Sequence, residues 1–251
     1  MKDFFQFSHY LFVFAHPDDE IYTCAFIQKL VNEGKAADII YVTSGDYQGP
    51  EVIKVREEEV QKSMRLLNVP EANVHFMRIP ERQLMSRVNE VRESFLILAA
   101  KLSPDCIVGH DFEGGHNGHD AVSFCTSRVA EELHIPLYVF PAYHGWPEKR
   151  TWNQFTSHEA TDTLPLSPKM KTLQDRVIDV HESQAGFFNT IKQSNSCELF
   201  SSREVLRLVT QPINYREPPT TPVGYEYPGS KIRFEDFKVA VSLGKNDDDK
   251  R

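Results

Sequence analysis

Short apolar runs at residues 10–15, 38–42, 74–79, 106–108 and 136–141 recur along the first half of the chain, separated by stretches with helical periodicity. Residues 20–33 carry Cys24, Ile27 and Val31 at helical spacing before Gly34, a residue suited to a helix end. Residues 51–67 place Ile53, Val60, Met64 and Leu67 on one face. Leu84, Val88, Val91, Phe95, Leu98 and Leu102 then recur at steps of four and three, the strongest helix signal in the chain. Pro104 and Asp105 end that helix, and Val122, Cys125 and Val129 mark another. Strands alternating with long amphipathic helices define an α/β, Rossmann-like doubly wound fold: a mostly parallel sheet with helices on both faces. Ligands in such sheets collect beyond the carboxyl ends of the strands, where strand order reverses.

Beyond residue 141 the pattern weakens. Residues 142–169 read as a loop-rich region holding His144, Trp146, Trp152 and His158, and a helix is expected over 170–188. Residues 211–229, rich in Pro, Thr and Tyr, are expected to wrap the surface in extended form. The 251 residues suit a single domain: a core over 9–186, an appendage over 187–245 packed on it, and a frayed tail at 246–251. A net charge of −8 argues against a general nucleic-acid binder, whose affinity rests on Lys and Arg neutralising phosphates. Cys24, Cys106, Cys125 and Cys197 lie far apart, without a Cys-x-x-Cys pair, which fits a reducing, cytoplasmic compartment. Neither a signal-peptide pattern at Met1–Gln6 nor a membrane-length apolar run is visible, so no membrane insertion is expected.

The first strand runs straight into Ala15-His16-Pro17-Asp18-Asp19-Glu20, one imidazole and three carboxylates in five residues. Asp18 or Asp19 could cap the helix that follows. A second cluster favours metal coordination instead. After the fourth strand, Gly109-His110-Asp111-Phe112-Glu113-Gly114-Gly115-His116-Asn117-Gly118-His119-Asp120-Ala121 holds three histidines and three carboxylates. A helix starting near Asn117 puts His116 and His119 on roughly one side. The two clusters meet at the switch point, where His16, Asp19 and one of His116 or His119 can bind a metal. Three N/O ligands with a position left open is the arrangement of catalytic zinc, and hydrolysis is its natural chemistry. Asp18 then suits a general base, and the second histidine an oxyanion or leaving-group partner.

The motif from Ala15 to Glu20 resembles the Ala-His-Pro-Asp-Asp-Glu signature of the PIG-L/LmbE-like family of zinc-dependent de-N-acetylases, and the stretch around His116 and His119 resembles that family's His-Pro-Asp-His-x-Ala motif. Thr43-Ser44-Gly45-Asp46, Arg56-Glu57-Glu58-Glu59, Ile79-Pro80-Glu81 and His181-Glu182-Ser183-Gln184 extend the resemblance over about residues 9–186. The resemblance implies that His16, Asp19 and His119 bind one zinc ion, or another divalent metal such as Fe2+, and that Asp18 is the general base. It implies that His116 stabilises the tetrahedral intermediate or protonates the amine. Arg56 resembles the family arginine near the sugar pocket. The implied reaction removes the acetyl group from a small N-acetylated amino-sugar (GlcNAc-type) conjugate, releasing acetate and amine. Alternatives are another N-acyl substrate, such as an antibiotic intermediate, or a metal- or sugar-binding protein without turnover. The family includes oligomers, so a homo-oligomer is one arrangement the resemblance allows. This chain departs from the pattern in two places. Asn117-Gly118 stands where the family has Pro-Asp, leaving Asp111 or Asp120 as candidates to orient His116, and Gly114 stands near the position of an oxyanion-binding tyrosine. Trp146 and Trp152 are candidates for stacking on a sugar ring.

Overall fold

The structure is a computed structural model describing residues 4–156 and 159–242. His158 and the tail at 246–251 lie outside the described residues. The first half follows the expected alternation: β1 (His9–Phe14), α1 (Cys24–Asn32), β2 (Ala36–Thr43), α2 (Val52–Leu66), β3 (Val74–Ile79), α3 (Val88–Leu102), β4 (Cys106–His110), α4 (Asn117–Leu133) and β5 (Leu137–Phe140). These strands pair in parallel in the order β3-β2-β1-β4-β5. β1 is central, with Phe12 opposite Ile39 of β2 and Val108 of β4.

Strand geometry sends successive side chains to opposite faces, and β1 is apolar on both. Tyr10, Phe12 and Phe14 enter a core with Phe26, Ile27 and Leu30 of α1 and Val60 and Met64 of α2. Leu11 and Val13 enter a second core with Val91 and Phe95 of α3 and Val122 and Val129 of α4. Each such fully buried side chain contributes about 1.5–3 kcal/mol, which lets the sheet carry costly buried charges at its carboxyl end.

The second half differs from the expectation in several respects. The region read as loop contains a small hairpin of β6 (Tyr143–His144) and β7 (Thr151–Trp152), followed by β8 (Asp162–Pro165). The helix expected over 170–188 is two, α5 (Pro168–Val180) and α6 (Ala185–Lys192). His181 separates them because its ring is drawn into the core by Glu20, while the Ser183 N–H and hydroxyl are held by the Glu59 carboxylate. After α7 (Cys197–Ser202), the unanticipated strand β9 (Arg203–Leu208) joins the main sheet antiparallel to both β5 and β8, completing the order β3-β2-β1-β4-β5-β9-β8. The last element, α8 (Phe234–Ser242), closes the second core with Phe237 and Val241.

One contact ties this late region to the first helix. α1 begins at Cys24 rather than near Glu20, after a 3-10 turn over Asp19–Tyr22. The Glu204 carboxylate of β9 accepts the Ala25 N–H at 2.8 Å and the Phe26 N–H at 2.9 Å, satisfying donors that a helix start leaves without partners. All four cysteines are unpaired, and among the described residues no helix is long and apolar enough to cross a membrane.

Candidate active site

The carboxyl ends of β1 and β4 are adjacent, and their loops meet there. In the first loop the Asp18 and Asp19 N–H groups donate to the His16 carbonyl, and the Asp19 carboxylate accepts the His16 N–H at 2.7 Å. Asp18 makes no side-chain capping bond to the 3-10 turn that follows it. In the second loop His116 is the N-cap of α4, its Nδ1 accepting the Gly118 N–H at 3.1 Å. His119 follows in the first turn.

The expected metal ligands converge. Asp19 lies 3.3 Å from His16 Nδ1 and 3.4 Å from His119 Nε2, and the His16 and His119 ring centroids are 5.1 Å apart. His116 joins them, its ring 4.7 Å from that of His16. Potential ligand atoms of His16, His116 and His119 lie within 4.8 Å of one another, as do those of Asp19, His110 and His119. His110 received no role from the sequence. It ends β4, is fully buried, stacks on His119 at 4.1 Å and accepts the Ala15 N–H through Nε2.

The field here favours a cation. Burial opposes charge on His16, yet Asp19, Glu81 and Asp18 together push its pKa up to about 9. Burial likewise opposes ionisation of Asp19, but His119, His110 and His16 hold it well below the usual carboxylate range. Burial and the neighbouring His110 lower His119 to about 4, so it is a neutral imidazole of the kind metals bind. His16 Nε2 is shielded from solvent and has no hydrogen-bond partner. Two imidazoles, one of them with an orphaned nitrogen, and a carboxylate fit a divalent cation held by N/O ligands.

Arg56 is buried, with Nη2 2.7 Å from Asp18 Oδ1 and Nη1 donating to the Gly45 carbonyl at 3.0 Å. It faces Asp18 rather than the glutamates of its own helix. Burial raises the Asp18 carboxyl, opposed chiefly by this guanidinium. Gly45 has φ 64°, and a Cβ there would stand 2.6 Å from Arg56 Nη1, so glycine is required for the approach. Neither candidate for orienting His116 does so. Asp111 pairs with Arg207 at 2.6 Å, and Asp120 accepts the Glu113 and Gly114 N–H groups, shaping the loop. The Gly118 N–H orients His116 instead.

Glu20 and His181, both fully buried, pair at 2.7 Å beneath the site. The cleft above has a volume of about 300 Å³ and is walled in part by Tyr143, Arg150, Phe187, Gly224, Tyr225 and Tyr227. The sequence reading missed these walls. Trp152 is fully buried against Tyr143 and Phe187, so it supports the wall from behind.

Gly115 marks the tightest approach, since a Cβ there would stand 1.8 Å from the Tyr143 carbonyl oxygen. Gly115→Ala must therefore displace the loop carrying His116. Turnover is expected to fall about 10²-fold, the cost of displacing reacting groups by roughly an ångström. Steady-state kinetics of the variant beside wild type checks this, and an unchanged kcat would show that the loop yields without consequence.

A mostly parallel α/β sheet thus carries, at its switch point, a His/Asp cluster with the spacing to hold a metal ion. Residues 11–130 match the model of the PIG-L family, described as GlcNAc-PI de-N-acetylase. Among solved structures, the N,N'-diacetylchitobiose deacetylase of Pyrococcus horikoshii superposes with a TM-score of 0.63 at 16% identity, covering 81% of this chain and 84% of that one. The teicoplanin deacetylase Orf2, solved in a zinc-inhibited form, gives 0.61 at 12% identity over 81% of this chain and 100% of its own. A 4-carboxy-2-hydroxymuconate hydratase from Pseudomonas putida KT2440 gives 0.56 at 13% over 82% and 98%. A comparison with curated protein sequences gives no match. The chain is therefore similar in sequence to the PIG-L family over residues 11–130, and over about four fifths of its length it shares the fold of these deacetylases and of the hydratase.

Proposed function

We propose that the protein is a zinc-dependent N-deacetylase acting on an N-acetylated amino-sugar conjugate of the GlcNAc type, releasing acetate and a free amine. The observation that carries this reading is the convergence of His16, Asp19 and His119 with Asp18 and His116 in the lining of one cleft. Fold alone does not decide it, since a hydratase shares the architecture.

His16, Asp19 and His119 hold the zinc, which when bound supplies Lewis acidity and a water of lowered pKa. Asp18 takes the proton from the attacking water, and Arg56 fixes that carboxylate through Nη2. In this reading Arg56 acts on the site through Asp18. His116 donates a hydrogen bond to the developing oxyanion: with Nδ1 accepting the Gly118 N–H, the neutral ring carries its proton on Nε2. That tautomer favours oxyanion stabilisation over protonation of the amine, which would need a proton on both ring nitrogens. The chain works as a single domain in this reading, because β9 is hydrogen-bonded into the common sheet. Unpaired cysteines support a reducing, cytoplasmic setting.

Elemental analysis of the purified protein, paired with amine release from a panel of N-acetylglucosaminides with and without chelator, tests the proposal. Stoichiometric metal and chelator-sensitive release are expected. His119→Ala is expected to lose both, and full metal occupancy in that variant would remove His119 from the ligand set. Stoichiometric wild-type metal with no release across the panel would overturn the deacetylase reading for this substrate class.

A further inference from the structure

Two arginines line the catalytic cleft, and they differ in one respect. Arg56 is committed to Asp18, Gly45 and Pro17. Arg150, immediately before β7, has no carboxylate within ion-pair distance and no hydrogen bond from its guanidinium among the described residues, and its Nε is shielded from solvent. Aromatic rings hold it in place. The guanidinium carbon lies 4.7 Å from the Tyr143 ring centroid and 5.8 Å from those of Trp152 and Phe187. These contacts fix a planar cation without using its N–H donors.

The acidic groups of the cleft are engaged elsewhere. Asp18 pairs with Arg56, Asp19 sits among His16, His110 and His119, and Glu81 lies 3.8 Å from His16 and 4.0 Å from His116. Arg150 is thus a permanent charge without a counter-ion among the described residues, packed by aromatic rings in the wall of the cleft. A guanidinium so placed matches the bidentate geometry of a carboxylate or phosphate.

We propose that Arg150 anchors an anionic group of the substrate, a phosphate or carboxylate outside the acetamide, so that the substrate is an acidic amino-sugar conjugate. This names the substrate class within the deacetylase reading and rests on it. Arg150 is a specificity residue here: it selects the conjugate and leaves the reacting atoms to Asp18 and His116.

The test uses the metal-loaded full chain with GlcNAc, GlcNAc 1-phosphate and N-acetylmuramic acid, which separates neutral, phosphate and carboxylate ligands. At least one acidic substrate is expected to exceed GlcNAc in kcat/KM by about tenfold or more, the effect of one charge-assisted contact, mainly through KM. The advantage should shrink as salt rises. Arg150→Met should collapse the ratio towards one, and Arg150→Lys should keep part of it. A wild-type ratio near one overturns the proposal. So does an Arg150→Met variant whose kcat falls equally on neutral and acidic substrates, which would put the guanidinium at the reacting acyl group. Calorimetric binding of GlcNAc and GlcNAc 1-phosphate to wild type and Arg150→Met separates this from failure of the deacetylase reading. Without any turnover, phosphate-selective binding that requires Arg150 keeps the anchor and sinks the deacetylase. Selectivity that survives Arg150→Met belongs to the metal and sinks the anchor.

Discussion

Asp18→Asn is expected to slow turnover by about 10²–10⁴-fold, the range for removal of a general base, while metal content stays stoichiometric. The asymmetry follows from the loop. The substituted amide keeps an Oδ1 that can accept the Arg56 N–H now given to Asp18, and the His16 and Asp19 contacts do not pass through the Asp18 side chain. What disappears is the carboxylate able to take a proton. Rates of acetate release beside elemental analysis read both halves of the expectation. Turnover within a few-fold of wild type would remove Asp18 as the base; joint loss of metal and turnover would make it a structural residue.

His181→Ala should cost about 3–5 kcal/mol of stability, because it strands the Glu20 carboxylate in a site closed to water. Both partners are fully buried at 2.7 Å. Denaturant unfolding of wild type, His181→Ala and Glu20→Gln/His181→Ala measures it, and the double variant should recover part of the loss. A cost under about 1 kcal/mol for the single change would mean the pair is a surface-like bridge of little worth. The pH dependence has a definite sign. Burial opposes charge on His181, but Glu20 outweighs it and raises the pKa from 6.5. The contribution of the imidazolium is therefore complete below about 6.5 and is lost as pH rises through the raised value. Wild type should lose stability on that alkaline limb, and His181→Ala should lack this component.

The sequence was most readable where periodicity and burial agree. β1 to β5 and α1 to α4 stand close to their expected positions because β1, β2, β4 and β5 are short, almost fully buried runs and the helices between them repeat their apolar residues at helical spacing. The proximity of His16, Asp19 and His119 was legible because they lie in two short motifs at adjacent strand ends. β9 was not: Arg203-Glu204-Val205-Leu206-Arg207-Leu208 alternates weakly, and its Glu204 points inward to cap α1, a burial no local pattern announces. The break at His181 is similar, since it depends on Glu20, far away in the chain. The cleft walls at Gly224, Tyr225 and Tyr227 come from a Pro-rich stretch whose course is set by tertiary contacts rather than by period. Arg150 was illegible for the same reason, as its environment is made by rings from three different segments.

The Gly224 N–H bonds to the Gly114 carbonyl at 2.7 Å, latching the loop that carries His116 from far along the chain, much as Glu204 caps α1. This gives the molecule an order in time. During synthesis every proposed zinc donor has been made once His119 is added, whereas the cap and the latch arrive only with residues 204 and 224. Closing such distant contacts is the slow part of folding, since loop entropy must be lost before the contact forms. A nascent chain thus contains all the proposed metal donors before Gly224, Tyr225 and Tyr227 of the cleft wall have been added, so the two parts of the site are separated by about a hundred residues of synthesis.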